Sequence, residues 1–136
     1  MTTITGGCAC GAVRYEISAD PIFQVACHCR ACQYASGGAP TLAALVPKAA
    51  FRITKGEAKT YWSDGDSGAQ VGRSFCAECG TPLFSQPAAN GDIAVIKVGG
   101  LDDPSRFTVQ ANIYAKAAQP WHHMAEGVPR FEAMPG

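Results

Sequence analysis

Seven cysteines fall into three short groups: Cys8 with Cys10, then Cys27, Cys29 and Cys32, then Cys76 with Cys79. The spacings are C-x-C, C-x-C-x-x-C and C-x-x-C. Thiols placed this way in a small chain hold metal ions, form disulfides or stay as buried free cysteines. An odd count leaves one thiol over in any disulfide scheme, and cysteines two residues apart on a strand are poorly placed to bridge each other. Metal is the better reading. A structural zinc site takes four protein ligands, whereas a catalytic one keeps three and leaves a position open. Seven is four plus three.

Each group suits that chemistry. The Cys76-Ala77-Glu78-Cys79 turn brings two thiolates to one ion, and Gly80 lets the backbone fold behind them so that amides can donate to sulfur. Cys8 and Cys10, read as two residues apart on a strand, present both sulfurs on one face. Gly6, Gly7 and Gly11 loosen the backbone around them. Together these pairs can close a four-sulfur site that clips the N-terminal strand to the middle of the chain. Cys27, Cys29 and Cys32 can cap one face of a second ion. His28, between two ligands, is expected to point away, either as a donor behind the ligands or as an exposed side chain. Spacing leaves other partitions open: the triple could borrow a cysteine from another group, or take His122 or His123 as a fourth ligand. Packing or surface roles are the expectation for those two histidines.

Length and charge bound the rest. A chain of 136 residues that is 47% hydrophobic reads as one globular domain, residues 1–136. Eleven basic residues balance eleven acidic ones, so neither a nucleic-acid footprint nor a charged membrane-binding patch is expected. The longest apolar run, around residues 39–47, is short and broken by prolines, so no membrane span is expected. The N-terminal residues carry no leader pattern, which points to the cytoplasm, where thiols stay reduced.

Short alternating stretches read as strands: 13–17, 22–26, 42–46, 51–54, 60–62, 71–75, 83–85, 93–98 and 112–115. Turn signals separate them at Ser36-Gly37-Gly38, Lys55-Gly56, Asp64-Gly65-Asp66, Asn90-Gly91-Asp92 and Gly99-Gly100. A short helix is expected over 29–36, and a helical turn at Pro104 capped by Asp102 or Asp103. From Gln119 onward the chain reads as a wrap-around loop. The sum is a mainly β domain.

Four stretches carry a family resemblance. They are Gly6-Gly7-Cys8-Ala9-Cys10-Gly11-Ala12-Val13-Arg14-Tyr15, Cys27-His28-Cys29-Arg30-Ala31-Cys32, Phe75-Cys76-Ala77-Glu78-Cys79-Gly80-Thr81-Pro82-Leu83 and Gly99-Gly100-Leu101-Asp102-Asp103, with Pro120-Trp121-His122 near the end. In this order they resemble the glutathione-dependent formaldehyde-activating (GFA, or CENP-V/GFA) family. The resemblance implies a β-tent (Mss4-like) fold of short antiparallel sheets and two zinc ions, one structural and one catalytic. It assigns Cys8, Cys10, Cys76 and Cys79 to the structural ion. It assigns Cys27, Cys29 and Cys32 to the catalytic one, as ligands and not nucleophiles.

The implied activity is that of a carbon–sulfur lyase joining formaldehyde to glutathione as S-hydroxymethylglutathione. The implied partner is a small thiol such as glutathione or its formaldehyde adduct. A zinc-stabilised binding module without catalysis is the alternative. Cations that could meet glutathione's carboxylates are Arg30, Lys48, Arg52, Lys55, Lys59 and Arg73, which the sequence does not cluster. Tyr61, Trp62, Phe84, Tyr114 and Trp121 could line a pocket, although core packing is the commoner use of aromatics.

Overall fold

The computed structural model describes residues 3–65 and 68–134. Asp66, the last residue of one expected turn, lies outside them. The strands are β1 (Ile4–Gly7), β2 (Arg14–Ile17), β3 (Phe23–Cys27), β4 (Thr41–Pro47), β5 (Phe51–Lys55), β6 (Lys59–Asp64), β7 (Gln70–Phe75), β8 (Pro82–Pro87), β9 (Ile93–Lys97) and β10 (Ala111–Ile113). One helix, α1 (Arg30–Ala35), follows β3. Every expected strand is present within a few residues.

The strands form two sheets. A three-stranded sheet runs β1-β2-β5, and a seven-stranded sheet runs β10-β3-β4-β9-β8-β7-β6. Pairings are antiparallel except β10 against β3, which is parallel. The fold is the mainly β architecture expected.

Burial follows from what covers each sheet face. On β4, Ala44 and Val46 face one way, Ala43 and Leu45 the other, and three of these four are buried. Both faces are covered, so this strand loses the apolar–polar alternation of a half-exposed one. On one face Val13, with Tyr15 and Ile17 of the small sheet, packs against Val46, Leu83, Phe84, Ala94 and Ile96. Phe51 joins the layers, with its ring 5.4 Å from Tyr15 and 4.8 Å from Phe84. On the other face Val25, Ala43, Ala111 and Ile113 pack with Cys27 and Cys32 under α1 and the tail, where Phe131 adds to the cluster.

Local expectations need correction at several points. The chain from Ile4 to Gly7 is a strand, which the glycine pair concealed. Gly6 marks close approach and not looseness: a Cβ there would collide with the Tyr15 hydroxyl and the Gly100 carbonyl. Cys8 and Cys10 lie after that strand, in a turn closed by the Gly11 amide on the Cys8 carbonyl at 3.1 Å. Strand β10 stops at Ile113 because Tyr114 turns into the left-handed region at φ 53°, so Ala115 enters a 3-10 turn. Val13 and Val98 likewise fall just outside the strands expected to contain them.

The helical turn at Pro104 forms as read, with the Asp103 carboxylate accepting from the Ser105 amide. The tail wraps beside β10: the Asn112 amide donates to Pro129, and the Phe131 amide to the Asn112 carbonyl.

Candidate metal centres

Folding gathers the cysteines into two groups. Cys8, Cys10, Cys76 and Cys79 form one; Cys27, Cys29 and Cys32 form the other; within each group all sulfurs lie within 4.8 Å of one another. None is paired in a disulfide. In the first group Cys8 and Cys10 are 3.6 Å apart, and Cys10 and Cys76 3.7 Å. A disulfide needs about 2.05 Å. Four thiolates around a tetrahedral zinc, each at about 2.3 Å, lie about 3.8 Å apart. The spacing is that of ligands around an ion. Both groups can hold a metal ion.

The four-cysteine group joins the two sheets. Cys8 and Cys10 follow β1 of the small sheet; Cys76 follows β7 of the large one, and Cys79 lies in the turn before β8. Gly80 adopts φ +78°, as the turn behind Cys79 requires, and its amide returns to the Cys76 carbonyl at 2.8 Å. Backbone amides reach the sulfurs: Val13 to Cys8 at 3.2 Å and Cys79 to Cys76 at 3.5 Å. Thr81 ties the turns together. Its hydroxyl accepts from the Ala9 amide at 3.1 Å, which leaves its own proton for the Cys79 sulfur, also at 3.1 Å.

That contact, with the Thr81 amide, pulls the Cys79 thiol down to about 5. The Ala12 amide favours ionised Cys10, but crowding by Cys8 and Cys79 prevails and pushes Cys10 up to about 12. Thiols that compete in this way are resolved by a cation, which lets all ionise.

The three-cysteine group sits where β3 runs into α1. Cys27 ends the strand, Cys29 caps the helix by accepting from the Cys32 amide, and Cys32 lies in the first turn. The Thr41 hydroxyl donates to the Cys32 carbonyl at 3.2 Å. Hydrogen bonds from Cys27 and then Cys29, helped by the positive charge of Lys97, hold the Cys32 thiol down at about 2. Cys27 is pushed up, first by its bonds to Cys29 and Cys32 and then by burial.

No fourth His, Cys, Asp or Glu joins this group among the described residues. The histidines are committed elsewhere. His28 is fully buried, contrary to the exposed alternative, with Nε2 2.9 Å from Asn112 Oδ1 and Nδ1 3.1 Å from His122 Nδ1. His122 Nδ1 also accepts from the Gln119 amide, so Nε2 carries the proton toward the Gly38 carbonyl at 2.9 Å. His123 is exposed. Gln33, buried in α1, donates to the His28 and Ala117 carbonyls and accepts from Gln119. The tail is thus strapped to the loop that carries the three sulfurs.

Of the cations read from the sequence, Arg52 pairs with Glu16, Lys55 reaches the Gly11 carbonyl and Arg30 stacks over Tyr34 at 5.0 Å. Lys48 and Lys59 are exposed. Arg73 is half-buried and donates to Ser63. One cation that feels the three sulfurs was not among them. Lys97, 9% exposed on β9, senses the charges of all three sulfurs and of Arg73, and burial pulls its ammonium below the usual range.

Lys97 also lines a cavity of about 300 Å³ with Thr41, Leu42, Thr81 and Pro82. A cavity of about 330 Å³ beside Ile4, Ile17 and Phe107 contains no cysteine. None of the five aromatics named from the sequence lines either cavity. Phe84 packs in the core, while Tyr61, Trp62 and Trp121 are exposed. Among the described residues, no helix is long and apolar enough to cross a membrane.

The family model described as glutathione-dependent formaldehyde-activating enzyme matches residues 3–117. A crystal structure of a Rhodobacter sphaeroides protein is similar in fold, with a TM-score of 0.57 and 22% identity, over 72% of this chain and 87% of that one.

Proposed function

This chain belongs to the glutathione-dependent formaldehyde-activating family, and from that premise we propose a zinc enzyme of the carbon–sulfur lyase type. It joins formaldehyde, or a related small electrophile, to glutathione or another small thiol. The observation that carries the reading is the three-cysteine group without a fourth protein ligand, beside two histidines whose ring nitrogens are engaged elsewhere. Residues 1–136 act as one domain in this reading. The free thiols suit the reducing cytoplasm.

Cys8, Cys10, Cys76 and Cys79 hold a structural zinc, and Cys27, Cys29 and Cys32 hold the catalytic one. When bound, the open zinc supplies a Lewis acid that favours the thiolate of an incoming thiol or polarises a carbonyl. The chain's own residues set the stage. Cys29 and Cys32 are fixed by the cap of α1, and Cys32 additionally by Thr41. His28, Asn112 and Gln33 hold the loop from behind. Lys97 offsets part of the negative charge of three thiolates. Holding thiol and aldehyde together removes much of the entropic cost of their encounter.

The test is S-hydroxymethylglutathione formation by the zinc-loaded protein against the uncatalysed rate, with other thiols in parallel. Acceleration that disappears in Cys29→Ala supports the reading. No acceleration with any thiol contradicts it and favours the zinc-stabilised binding module.

A further inference from the structure

The cysteine chemistry leaves the outer edge of the large sheet unused. Other sheet edges are closed or guarded. The tail seals β10: the Asn112 amide donates to Pro129, and the Phe131 amide to the Asn112 carbonyl. Strand β1 takes the Asp102 amide on its Thr5 carbonyl, and β5 carries Arg52 and Lys55. Cover, bulges and charge are how folds keep strand edges from pairing. Strand β6 has little of this. It pairs with β7 over its whole length without a bulge, and no strand lies outside it among the described residues. Its middle holds two aromatics, Tyr61 at 65% exposure and Trp62 at 47%. Trp62 packs over Gly72, where a Cβ would come within 2.8 Å of the indole, so the ring is held in place while much of it stays uncovered.

The phase of the ladder shows which backbone groups point outward. The Gly65 amide donates to the Ala69 carbonyl at 2.7 Å, and bonding in an antiparallel ladder alternates along the strand. Positions 59, 61 and 63 therefore bond to β7. Thr60, Trp62 and Asp64 turn their amides and carbonyls away from the sheet. Across β7, the Ala88 amide reaches the Gln70 carbonyl, the phase that this alternation requires.

This edge complements itself. Around a twofold axis perpendicular to the sheet, an antiparallel copy sets each outward residue opposite an outward residue. Centred on Trp62, the pairing puts Thr60 against Asp64 of the second copy and Trp62 against its own counterpart. Every outward backbone group of β6 then has a partner. The charged residues lie at the ends of the strand, Lys59 at one and Asp64 at the other. Antiparallel pairing brings the basic end of each copy beside the acidic end of the other, whereas parallel pairing would stack like on like.

We propose that β6 is a dimerisation edge, along which two copies of this chain join their seven-stranded sheets into one continuous sheet. A single pair of short strands buries little area, so the dimer is weak and forms with concentration. The proposal stands apart from the chemistry at the cysteines.

The test uses the zinc-loaded chain under reducing conditions. Sedimentation from about 10 µM to about 1 mM, the range of a weak interface, should show the mass rise from 14.2 kDa toward twice that value. Amide exchange followed by NMR at both ends of that range should slow at Thr60, Trp62 and Asp64. It should stay unchanged at Tyr61 and Ser63, whose amides β7 already holds. Asp64→Lys makes both ends basic and should weaken the dimer about three- to tenfold; Lys59→Glu added to Asp64→Lys should restore it, because the reversed ends match again. Both positions are exposed. The amide spectrum of each variant reports whether its fold is kept, and wild-type exchange decides even where a variant misfolds.

A mass of 14.2 kDa at every concentration overturns the proposal. So does a dimer whose newly protected amides lie outside β6, and so does a folded Asp64→Lys variant that dimerises as tightly as wild type.

Discussion

Removing one sulfur from each centre should cost different amounts of stability. Cys10 and Cys76 are 66 positions apart and follow strands of different sheets. Metal held between them closes a long loop. The chain-entropy relation for a cross-link of that span gives about 4 kcal/mol. Cys27 and Cys32 are five positions apart on one strand-to-helix connection. The same relation gives about 2 kcal/mol there. For a chain of this size, each kcal/mol moves the melting temperature by roughly 3–5 °C.

Loss of the first ion through Cys76→Ala should therefore lower it by roughly 12–20 °C, and loss of the second through Cys29→Ala by roughly half as much. Each variant loses one sulfur, so the difference reports the span of the cross-link. The assay is calorimetric melting of zinc-loaded protein, with metal content measured on the same samples. Equal depressions, or a larger one for Cys29→Ala, would refute the assignment of the first centre as the staple between sheets.

Other outcomes follow from single contacts. Bonds from Arg14, and then from Thr5, hold Asp102 at about 2 against an ordinary value of 3.8. Its stabilising contribution is present above about pH 4 and lost as pH falls toward 2; the melting difference between wild type and Asp102→Asn should shrink over that window. Gly6→Ala should destabilise by about 1–3 kcal/mol or more, because the added methyl meets backbone as well as the Tyr15 hydroxyl; an unchanged denaturation midpoint would show that β1 does not pack as described. A chelator should remove one equivalent of zinc quickly from the three-ligand centre and the second slowly, with the fold lost only in the second phase; simultaneous release would contradict two unlike centres.

Much of this was legible because the deciding signals are local. Cysteine spacing marked the candidate ligands, the family resemblance divided them between two centres, and the alternating stretches located most strands. Three residues show where locality ends. Cys8 and Cys10 were read on a strand yet sit in a turn; two different backbones satisfy the same C-x-C spacing, so the ligand set survived a wrong local geometry. Gly6 looked like slack because its crowding comes from Tyr15 and Gly100, which are distant in sequence. Lys97 was not among the cations read from the sequence. It is buried on a strand paired along both edges in a sheet covered on its faces, and that cover cannot be read from the residues around it. His28 is similar: its partners are Asn112 and His122, more than eighty positions away.

The central claim is that four cysteines close one zinc and three leave the other open. X-ray absorption on protein carrying two zinc ions tests it most directly. The account predicts about 3.5 sulfurs per zinc on average, with a light oxygen shell, rising to about four when glutathione is added. Four protein ligands at both ions before any thiol is added, whether a shared sulfur or an imidazole at the second, would contradict it.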